Sequence, residues 1–244
     1  MKIYIINKSF KRKKNIIDKW GLEHDQNALM ALIIKNNRLE IFKRDEPNLG
    51  NFWIDFAHKK LIYRIQSQVL KKEAIAKAIG IKKNNYLNVV DATAGLGKDA
   101  LVLTALGCKV CMIERNPIVA ALLEDALKRN YPYNNINLLL KEKMSLIYAS
   151  SLSILKKLKY KPDVTYLDPM YPITKKNMVK KDMYFLRLLI GEDKDSGDLL
   201  TLARKCSKKR VIVKRQLYAP YLSGIKTKNA IISKKHRFDI YSPL

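Results

Sequence analysis

Apolar and polar positions follow two different patterns on either side of residue 65. Before it, short apolar stretches rich in β-branched and aromatic residues alternate with clusters of turn-forming residues, which is typical of β-strands joined by tight turns. The apolar stretches cover residues 28–34, 39–42, 52–56 and 61–65, and the turns fall at residues 36–37 and 47–50. This pattern predicts a small antiparallel β-meander that forms an N-terminal β-rich subdomain over residues 1–65.

From residue 66 onward, strand-like and helix-like segments alternate. Strands are predicted at residues 87–91, 109–113, 144–148, 163–167 and 210–214, and two more near 230–232 and 238–240. Helices are predicted at residues 72–79, 99–106, 117–129, 178–190 and 199–206. Such alternation predicts an α/β domain over residues 66–244, with a mostly parallel sheet covered by helices on both faces.

Composition narrows the class of protein. No apolar stretch reaches the roughly 18 residues of a membrane span, and the N-terminus lacks the order of a signal peptide, so we expect a cytoplasmic protein without a membrane partner. Cys108 and Cys111 have a C-x-x-C spacing, but no second pair or nearby histidine completes a metal shell. We therefore expect buried free thiols and no metal.

The charge balance favours a polyanionic partner. The chain has 48 lysine and arginine residues against 22 acidic ones, a net charge of +26. Its abundant lysine, asparagine and isoleucine and scarce glycine also fit a codon usage rich in A and T, which accounts for part of this charge. A strongly basic surface remains after that allowance, and it predicts nucleic acid as the partner.

The loop after the predicted strand 87–91 has the composition of a cofactor-binding turn. Gly95 and Gly97 permit a tight turn and a close approach of a ligand to the backbone at the next helix. The spacing fits a dinucleotide fingerprint, but two acidic residues favour S-adenosyl-L-methionine (SAM) over NAD. Asp91 can meet the ammonium of the methionine moiety, whereas Asp99 would oppose a pyrophosphate. A plain strand-to-helix turn is the alternative.

Two further positions suit an adenosine moiety. Glu114 ends the next predicted strand, where a carboxylate can accept both ribose hydroxyls. Arg115 beside it either stacks on the adenine or faces solvent. Ser150 and Ser151 follow the strand 144–148, and they either bind the adenine edge or cap the following helix.

Residues 168–172 read Asp-Pro-Met-Tyr-Pro and directly follow the apolar run 164–167. Methylation of an aromatic exocyclic amine requires a nitrogen lone pair that is otherwise delocalised into the ring. Hydrogen bonds from the amine to the Asp168 carboxylate and the Pro169 carbonyl would localise that lone pair and stabilise the developing positive charge. Tyr171 would stack on the unstacked base. A strand-ending turn is the alternative reading of the same residues.

Basic residues follow the predicted strands 163–167 and 210–214, at the edge where the acceptor base would bind. A phosphate contact and an ordinary solvated surface are both consistent with each of them. The candidate RNA-binding residues are Lys175, Lys176, Lys180, Lys181, Lys214 and Arg215.

Taken together, the chain resembles the ribosomal RNA small subunit methyltransferase J family, which methylates the N2 amine of a guanine in small-subunit rRNA. The resemblance covers most of the chain and rests on KRDEP at 43–47, DATAGLG at 91–97, ERNP at 114–117, ASSL at 149–152, DPMYP at 168–172, VKK at 179–181 and HRFDIY at 236–241. It implies a Rossmann-like class I methyltransferase fold. It also implies SAM contacts by Lys98, Asp99, Glu114, Arg115, Ser150, Ser151 and Asp168.

This chain departs from the family at two places. Lysine stands at position 98, where the family usually has arginine, and residues 66–70 replace a glycine-rich stretch. The expected function is SAM-dependent methylation of guanine N2, with ribosomal RNA or the small ribosomal subunit as the partner. The alternatives are a DNA adenine or cytosine amino methyltransferase and a non-enzymatic RNA-binding protein with a decayed cofactor pocket.

Overall fold

The structure of the protein is a computed structural model, and it describes residues 1–6, 10–81, 86–170, 180–191 and 196–244. Within residues 1–65 the strands are β1 (Lys2–Ile6), β2 (Glu23–His24), β3 (Met30–Lys35) and β4 (Arg38–Lys43). Helix α1 (Phe10–Trp20) lies between β1 and β2, and helix α2 (Lys59–Gln66) follows β4. In the described residues these strands form a sheet in the order β2-β1-β3-β4.

This N-terminal arrangement corrects the predicted meander. Strand β1 pairs in parallel with both β2 and β3, and only β3 and β4 form an antiparallel hairpin. Residues 61–65 lie in α2 instead of a strand, because the apolar positions 61, 62 and 65 fall on one helical face. In the segment 52–56, only Phe52 pairs with a strand, through a bridge to Ile41.

The alternation predicted after residue 66 is confirmed. The elements are α3 (Ala74–Ile79), β5 (Asn88–Asp91), α4 (Lys98–Ala105), β6 (Lys109–Glu114), α5 (Pro117–Lys128), α6 (Asn134–Lys143), β7 (Met144–Tyr148), α7 (Ser151–Lys157), β8 (Val164–Leu167), α8 (Lys181–Ile190), α9 (Ser196–Cys206), β9 (Arg210–Gln216), β10 (Ala230–Ile232) and β11 (His236–Tyr241). Helices α6 and α7 were not predicted. The residues at 178–179, predicted to begin α8, lie outside the described part of the chain.

Local signals set several of these boundaries. Helix α3 ends at Gly80, which adopts a left-handed conformation (φ 76°) that glycine reaches without steric strain. Helix α5 begins with Pro117 after Asn116, whose side-chain oxygen accepts hydrogen bonds from the amides of Ile118 and Val119 at 3.0 and 3.1 Å. Each signal was visible in the sequence.

The described part of the main sheet has the strand order β10-β11-β9-β8-β5-β6-β7. Strands β5 to β9 are parallel, whereas β11 and β10 run antiparallel to their neighbours. The chain connects β5 outward to β6 and β7, and then returns to place β8 on the other side of β5. Ligands bind at the carboxyl ends of strands beside such a reversal, so the gap between β5 and β8 is the expected site.

Helices cover both faces of the main sheet, as predicted. Residues of α4 and α5 pack on one face, and residues of α7 and α9 pack on the other. The first core continues into the N-terminal sheet, because Ile3, Leu32 and Phe56 belong to the same buried cluster as Leu101 and Leu123. The division into units at residue 65 stays a prediction, and the two regions share one hydrophobic core.

Candidate active site

The loop after β5 begins at the carboxyl end of the sheet, beside the reversal of strand order. Asp91 is buried, and its carboxylate accepts a hydrogen bond from the amide of Thr93 at 3.1 Å. Gly95 and Gly97 both have positive φ, 52° and 68°. A Cβ at Gly97 would lie 2.9 Å from a methyl of Leu123 and 3.1 Å from the ring of Phe56. Close packing against Leu123 and Phe56 therefore requires glycine at position 97, whereas the sequence suggested that the glycine allows a ligand to approach.

Glu114 connects the end of β6 to this loop. One carboxylate oxygen accepts a hydrogen bond from the amide of Gly95 at 3.0 Å, and the other accepts one from the amide of Asn116 at 2.7 Å. The side chain is buried. Each oxygen of a carboxylate can accept more than one hydrogen bond, which is the chemistry that ribose hydroxyls require. The two backbone donors fix the orientation of the carboxylate.

Asp168 follows β8 and takes part in a chain of charged side chains. The ammonium of Lys214, on β9, lies 2.9 Å from a carboxylate oxygen of Asp168 and 2.7 Å from one of Asp99, on α4. The hydroxyl of Tyr166 donates to the same Asp99 oxygen at 2.8 Å. Arg64, on α2, lies 3.9 Å from the other Asp99 oxygen. One lysine therefore connects two carboxylates from different elements.

Burial and charge act against each other in this network. Burial raises the pKa of Asp168, and Asp99 adds to the rise, while the charge of Lys214 opposes it. At Asp99 burial also acts to raise the pKa, but the charge and hydrogen bond of Lys214, with the hydrogen bond from Tyr166, outweigh it and lower the pKa. Burial lowers the pKa of Lys214, and the two carboxylates more than reverse that effect. Lys214 is therefore held as an ammonium.

Thr93 joins the loop after β5 to the segment after β8. Its hydroxyl oxygen accepts a hydrogen bond from the backbone amide of Asp168 at 2.5 Å, while its own amide is held by Asp91. Pro169 is buried behind Asp168. The Asp168 side chain remains 41% exposed. Its carboxylate thus opens toward solvent from a fixed backbone position.

Asp91 is the third acid of the site with a shifted pKa. Burial raises its pKa to about 8, and the hydrogen bond from Thr93 opposes that rise only in part. Asp99 and Asp168 raise it further, and Lys214 lowers it. A buried carboxyl group with such a pKa favours a cationic ligand, because a nearby positive charge stabilises its ionised form.

The other expected cofactor residues lie around the same edge. Ser150 occupies the N-cap position of α7, and the Ser151 hydroxyl donates to the carbonyl of Ala92 at 2.6 Å. Arg115 is exposed after β6. Lys98 begins α4 and forms an ion pair with Asp182 on α8. Ser151 thus contacts the cofactor loop itself, whereas the Lys98 side chain is directed toward α8.

Three residues of this site were missed or differently interpreted from the sequence. Thr93 and Tyr166 carried no signal beyond their positions in a loop and an apolar strand. Lys214 was interpreted as a phosphate contact, but its ammonium lies between two carboxylates. The single sequence signal for this role is a lysine among apolar residues near the end of a predicted parallel strand.

The predicted RNA-binding residues divide into three groups. Lys175 and Lys176 lie outside the described residues, as does Tyr171, which was predicted to stack on the base. Lys180 is exposed just before α8, and Lys181 is partly buried at the start of that helix. Arg215 is only 4% exposed, and its guanidinium donates to the carbonyl of Pro220 at 2.7 and 3.1 Å. This inward orientation corrects the expected phosphate contact of Arg215.

The remaining expectations concern membranes, metals and thiols. Within the described ranges, none of the helices is both long and apolar enough to span a bilayer. The same ranges contain no group of three or more histidine, cysteine or acidic residues arranged to hold a metal. The thiols of Cys108, Cys111 and Cys206 are free, and burial raises the pKa of Cys108 to about 12. The expectation of free thiols is confirmed, but only Cys108 is buried, and Cys111 and Cys206 are half-buried.

Comparison with known proteins agrees with this site. Residues 15–243 match a family model described as "Putative SAM-dependent methyltransferase". Ribosomal RNA small subunit methyltransferase J of Erwinia tasmaniensis is 52% identical over 227 residues, which cover 93% of this chain and 91% of that protein. The protein of the same name from Yersinia enterocolitica is 49% identical and covers 94% of this chain and 91% of its own length.

A solved structure supports the same assignment. The crystal structure of a SAM-dependent methyltransferase from Neisseria gonorrhoeae is 28% identical, has a TM-score of 0.77, and covers 100% of this chain and 96% of that one. The predicted class I methyltransferase fold and the SAM cofactor are thereby confirmed. The chain belongs to the ribosomal RNA small subunit methyltransferase J family of SAM-dependent methyltransferases.

Proposed function

We propose that this protein transfers the methyl group of SAM to the exocyclic N2 amine of a guanosine in small-subunit ribosomal RNA. The observation that supports it most is the position of Asp168. Its partly exposed carboxylate stands at the carboxyl end of β8, and Thr93 holds its backbone against the loop after β5. The relatives named ribosomal RNA small subunit methyltransferase J indicate the class of substrate.

The cofactor is proposed to bind at the carboxyl ends of β5 and β6. Asp91 would pair with the ammonium of the methionine moiety, since an adjacent positive charge stabilises the ionised form of this buried acid. Glu114 would accept the ribose hydroxyls from the orientation that its two backbone donors fix. Arg115, Ser150 and Ser151 would border the adenine. When bound, SAM supplies an electrophilic methyl group on a sulfonium.

Asp168 and Pro169 are proposed to act on the acceptor amine. The Asp168 carboxylate and the Pro169 carbonyl accept one N–H each, which directs the nitrogen lone pair toward the methyl carbon. With SAM bound, the amine nitrogen would gain positive charge as its bond to the methyl carbon forms, and the electron pair of the broken carbon–sulfur bond would stay on the leaving thioether. Asp168 stabilises that charge and receives the proton that the nitrogen then releases. Tyr171 is proposed to stack on the base.

Lys214 is proposed as a positioning residue for Asp168. Its ammonium holds one Asp168 oxygen at 2.9 Å and leaves the second oxygen for the amine. Its charge also opposes the rise in the pKa of Asp168 that burial and Asp99 cause. Asp99 fixes Lys214 from the other side, and through it the carboxylate of Asp168. This arrangement keeps an acceptor ionised in a crowded site.

The RNA is proposed to lie across the carboxyl edge of the sheet. Lys175, Lys176, Lys180 and Lys181 follow β8 in sequence and are proposed to bind phosphates. The target base must leave its stack to reach Asp168, so a single-stranded or loop nucleotide is the expected substrate.

The decisive experiment supplies purified protein with methyl-labelled SAM and, separately, small-subunit rRNA, unmodified small ribosomal subunits and duplex DNA. We expect label in rRNA or subunits, and N2-methylguanosine as the modified nucleoside after digestion and mass spectrometry. Label in DNA alone would instead identify a DNA amino methyltransferase. An absence of SAM binding in calorimetry would identify a non-enzymatic RNA-binding protein.

A further inference from the structure

Two arginines fix the turn that follows β9. Arg215 donates to the carbonyl of Pro220, and Arg237, on β11, donates to the carbonyls of Leu217 and Ala219 at 3.0 and 3.1 Å. The amide of Ala219 closes the turn by donating to the carbonyl of Gln216 at 3.0 Å. Four backbone carbonyls of the five-residue segment 216–220 are therefore held in place.

The arginine at the centre of this arrangement is itself anchored. Arg237 pairs with Asp239 through two hydrogen bonds of 2.6 and 3.0 Å, and Asp239 is fully buried. The guanidinium of Arg237 also lies 4.6 Å from the ring centre of Tyr221. On this fixed turn the side chain of Tyr218 is 93% exposed. The protein thus presents an aromatic ring to solvent on a backbone that is held in one conformation.

This turn stands at the edge where the acceptor base is proposed to bind. It begins two residues after Lys214, whose ammonium contacts Asp168. Strand β11 pairs antiparallel with β9, with His236 opposite Gln216, so the connection between β10 and β11 lies beside the turn. Lys234 and Lys235, in that connection, are exposed.

The position of His236 agrees with this proximity. Burial lowers the pKa of His236, and Lys214 lowers it further, while Asp168 and Asp99 oppose both effects. The charged groups of the acceptor site therefore act electrostatically on His236, which directly follows the connection between β10 and β11. The exposed ring and the two exposed lysines form what we term the hairpin edge: Tyr218, Lys234 and Lys235.

We propose that the hairpin edge binds the RNA nucleotide adjacent to the methylated guanosine, with its base stacked on Tyr218 and its phosphates near Lys234 and Lys235. The inference rests on the proposed function, because it takes RNA as the substrate. An exposed ring on a rigid support loses little conformational entropy on stacking, and two lysines beside it match the charge of the backbone. Extraction of the target base leaves its neighbour without a stacking partner, and Tyr218 replaces that partner.

Equilibrium binding of small-subunit rRNA to Tyr218→Ala, Tyr218→Phe and wild type tests the proposal. Loss of one stacked base should weaken binding by about 5-fold to 150-fold in Tyr218→Ala, while Tyr218→Phe should bind like wild type. The matched control is Tyr86→Ala, since Tyr86 is 77% exposed but precedes β5 at the opposite edge of the sheet. Calorimetry should give equal SAM affinities for all four proteins.

A fluorescence experiment separates stacking from charge. Tyr218→Trp should keep RNA affinity and lose emission when RNA binds, because stacking on a base quenches indole, while Tyr86→Trp should not change. Lys234→Gln with Lys235→Gln should reduce the slope of log affinity against log salt. Wild-type affinity in Tyr218→Ala, or no quenching in Tyr218→Trp, overturns the proposal.

Methyl transfer by the wild type is measured in parallel. If the wild type methylates rRNA but Tyr218→Ala binds it normally, the hairpin edge is refuted and the proposed function stands. If the wild type binds rRNA through Tyr218 but methylates no guanosine, the binding site stands and the proposed reaction is refuted. Absence of any rRNA binding by the wild type overturns both.

Discussion

The two halves of the active site hold their carboxylates by different means. In the cofactor half, at the ends of β5 and β6, Asp91 and Glu114 are buried and accept hydrogen bonds from backbone amides. In the acceptor half, at the ends of β8 and β9, Asp168 is 41% exposed and pairs with the side chain of Lys214, which also holds Asp99. One half depends on backbone geometry and the other on a balance of charges.

This difference has consequences for robustness. Backbone amides do not titrate, and a single side-chain substitution does not remove them, so the cofactor half should keep its shape when the acceptor half is altered. The acceptor half contains two carboxylates around one ammonium, and loss of any member changes the balance of charge on the members that remain. We therefore expect substitutions in the acceptor half to affect transfer far more than SAM binding.

The largest effect is expected for Asp168→Ala. Removal of the acceptor that stabilises developing charge should lower kcat by about 10²–10³-fold, while the dissociation constant of SAM should change little, because stabilisation is lost mainly in the transition state. Single-turnover kinetics and calorimetry measure the two quantities. Equal losses in both would show that Asp168 belongs to the cofactor half, and the division between the halves would be wrong.

Glu114→Ala is the matched variant in the other half. It removes a carboxylate that also stands at the carboxyl end of a strand, where the backbone amides of Gly95 and Asn116 donate hydrogen bonds to it. We expect it to weaken SAM binding strongly and to leave transfer from the saturated complex comparatively intact. Thermal unfolding of both variants separates these effects from loss of the fold.

A smaller effect, with a pH signature, is expected for Lys214→Met. Lys214 lowers the pKa of Asp168, so its removal should raise that pKa further and keep the carboxyl protonated at higher pH. The acidic limb of the pH profile of transfer should therefore move to higher pH, and the loss of transfer should be largest at the acidic end of the profile and smaller than in Asp168→Ala. Lys214→Arg retains the charge and should keep the limb near its wild-type position. An unmoved limb in Lys214→Met would mean that Lys214 does not control the ionisation of Asp168.

The same contrast explains what the sequence could predict. The contacts of the cofactor half are short in sequence, with Asp91 two residues from Thr93 and Gly95 nineteen from Glu114. Strand ends and glycine spacing indicated the residues Asp91, Gly95 and Glu114, although not the contact with Thr93. In the acceptor half, Lys214 is 115 residues from Asp99, and Tyr166 is 67 from the same residue. No local pattern encodes such pairings, because the order of strands in the sheet creates them.

The N-terminal region shows a related limit. Parallel pairing of β1 with β3 depends on the crossover through α1, and an apolar run alone does not distinguish parallel from antiparallel neighbours. Residues 61–65 form part of a helix, although five residues of mixed apolar character fit a short strand equally well. By contrast, the predicted helix 72–79 ends correctly before the glycine at position 80, and the predicted helix 117–129 begins correctly at the proline at position 117.

A further prediction concerns the cofactor half, where binding of SAM should be coupled to release of a proton from Asp91. Burial raises the pKa of Asp91 to about 8, so at pH 7 the free protein holds it mainly protonated. The ammonium of SAM favours the carboxylate, so binding at pH 7 should release about one proton and should strengthen as pH rises toward 8. Calorimetry in buffers of different ionisation enthalpy measures this release. It should disappear in Asp91→Asn, and a wild-type enthalpy that is independent of buffer would remove Asp91 from the ammonium site.

The smallest effect is expected outside both halves, at the lysines before and at the start of α8. Lys180→Gln with Lys181→Gln removes two proposed phosphate contacts, and each contact should contribute about 0.7 to the slope of log affinity against log salt for single-stranded RNA. The matched control is Lys156→Gln with Lys157→Gln, because these residues are exposed at the far end of α7, which runs from the carboxyl edge of the sheet toward the opposite edge. We expect a reduced slope only in the first pair, with kcat unchanged at saturating RNA. Equal slopes in both pairs would mean that the RNA responds to the overall charge of +26 and not to this edge of the active site.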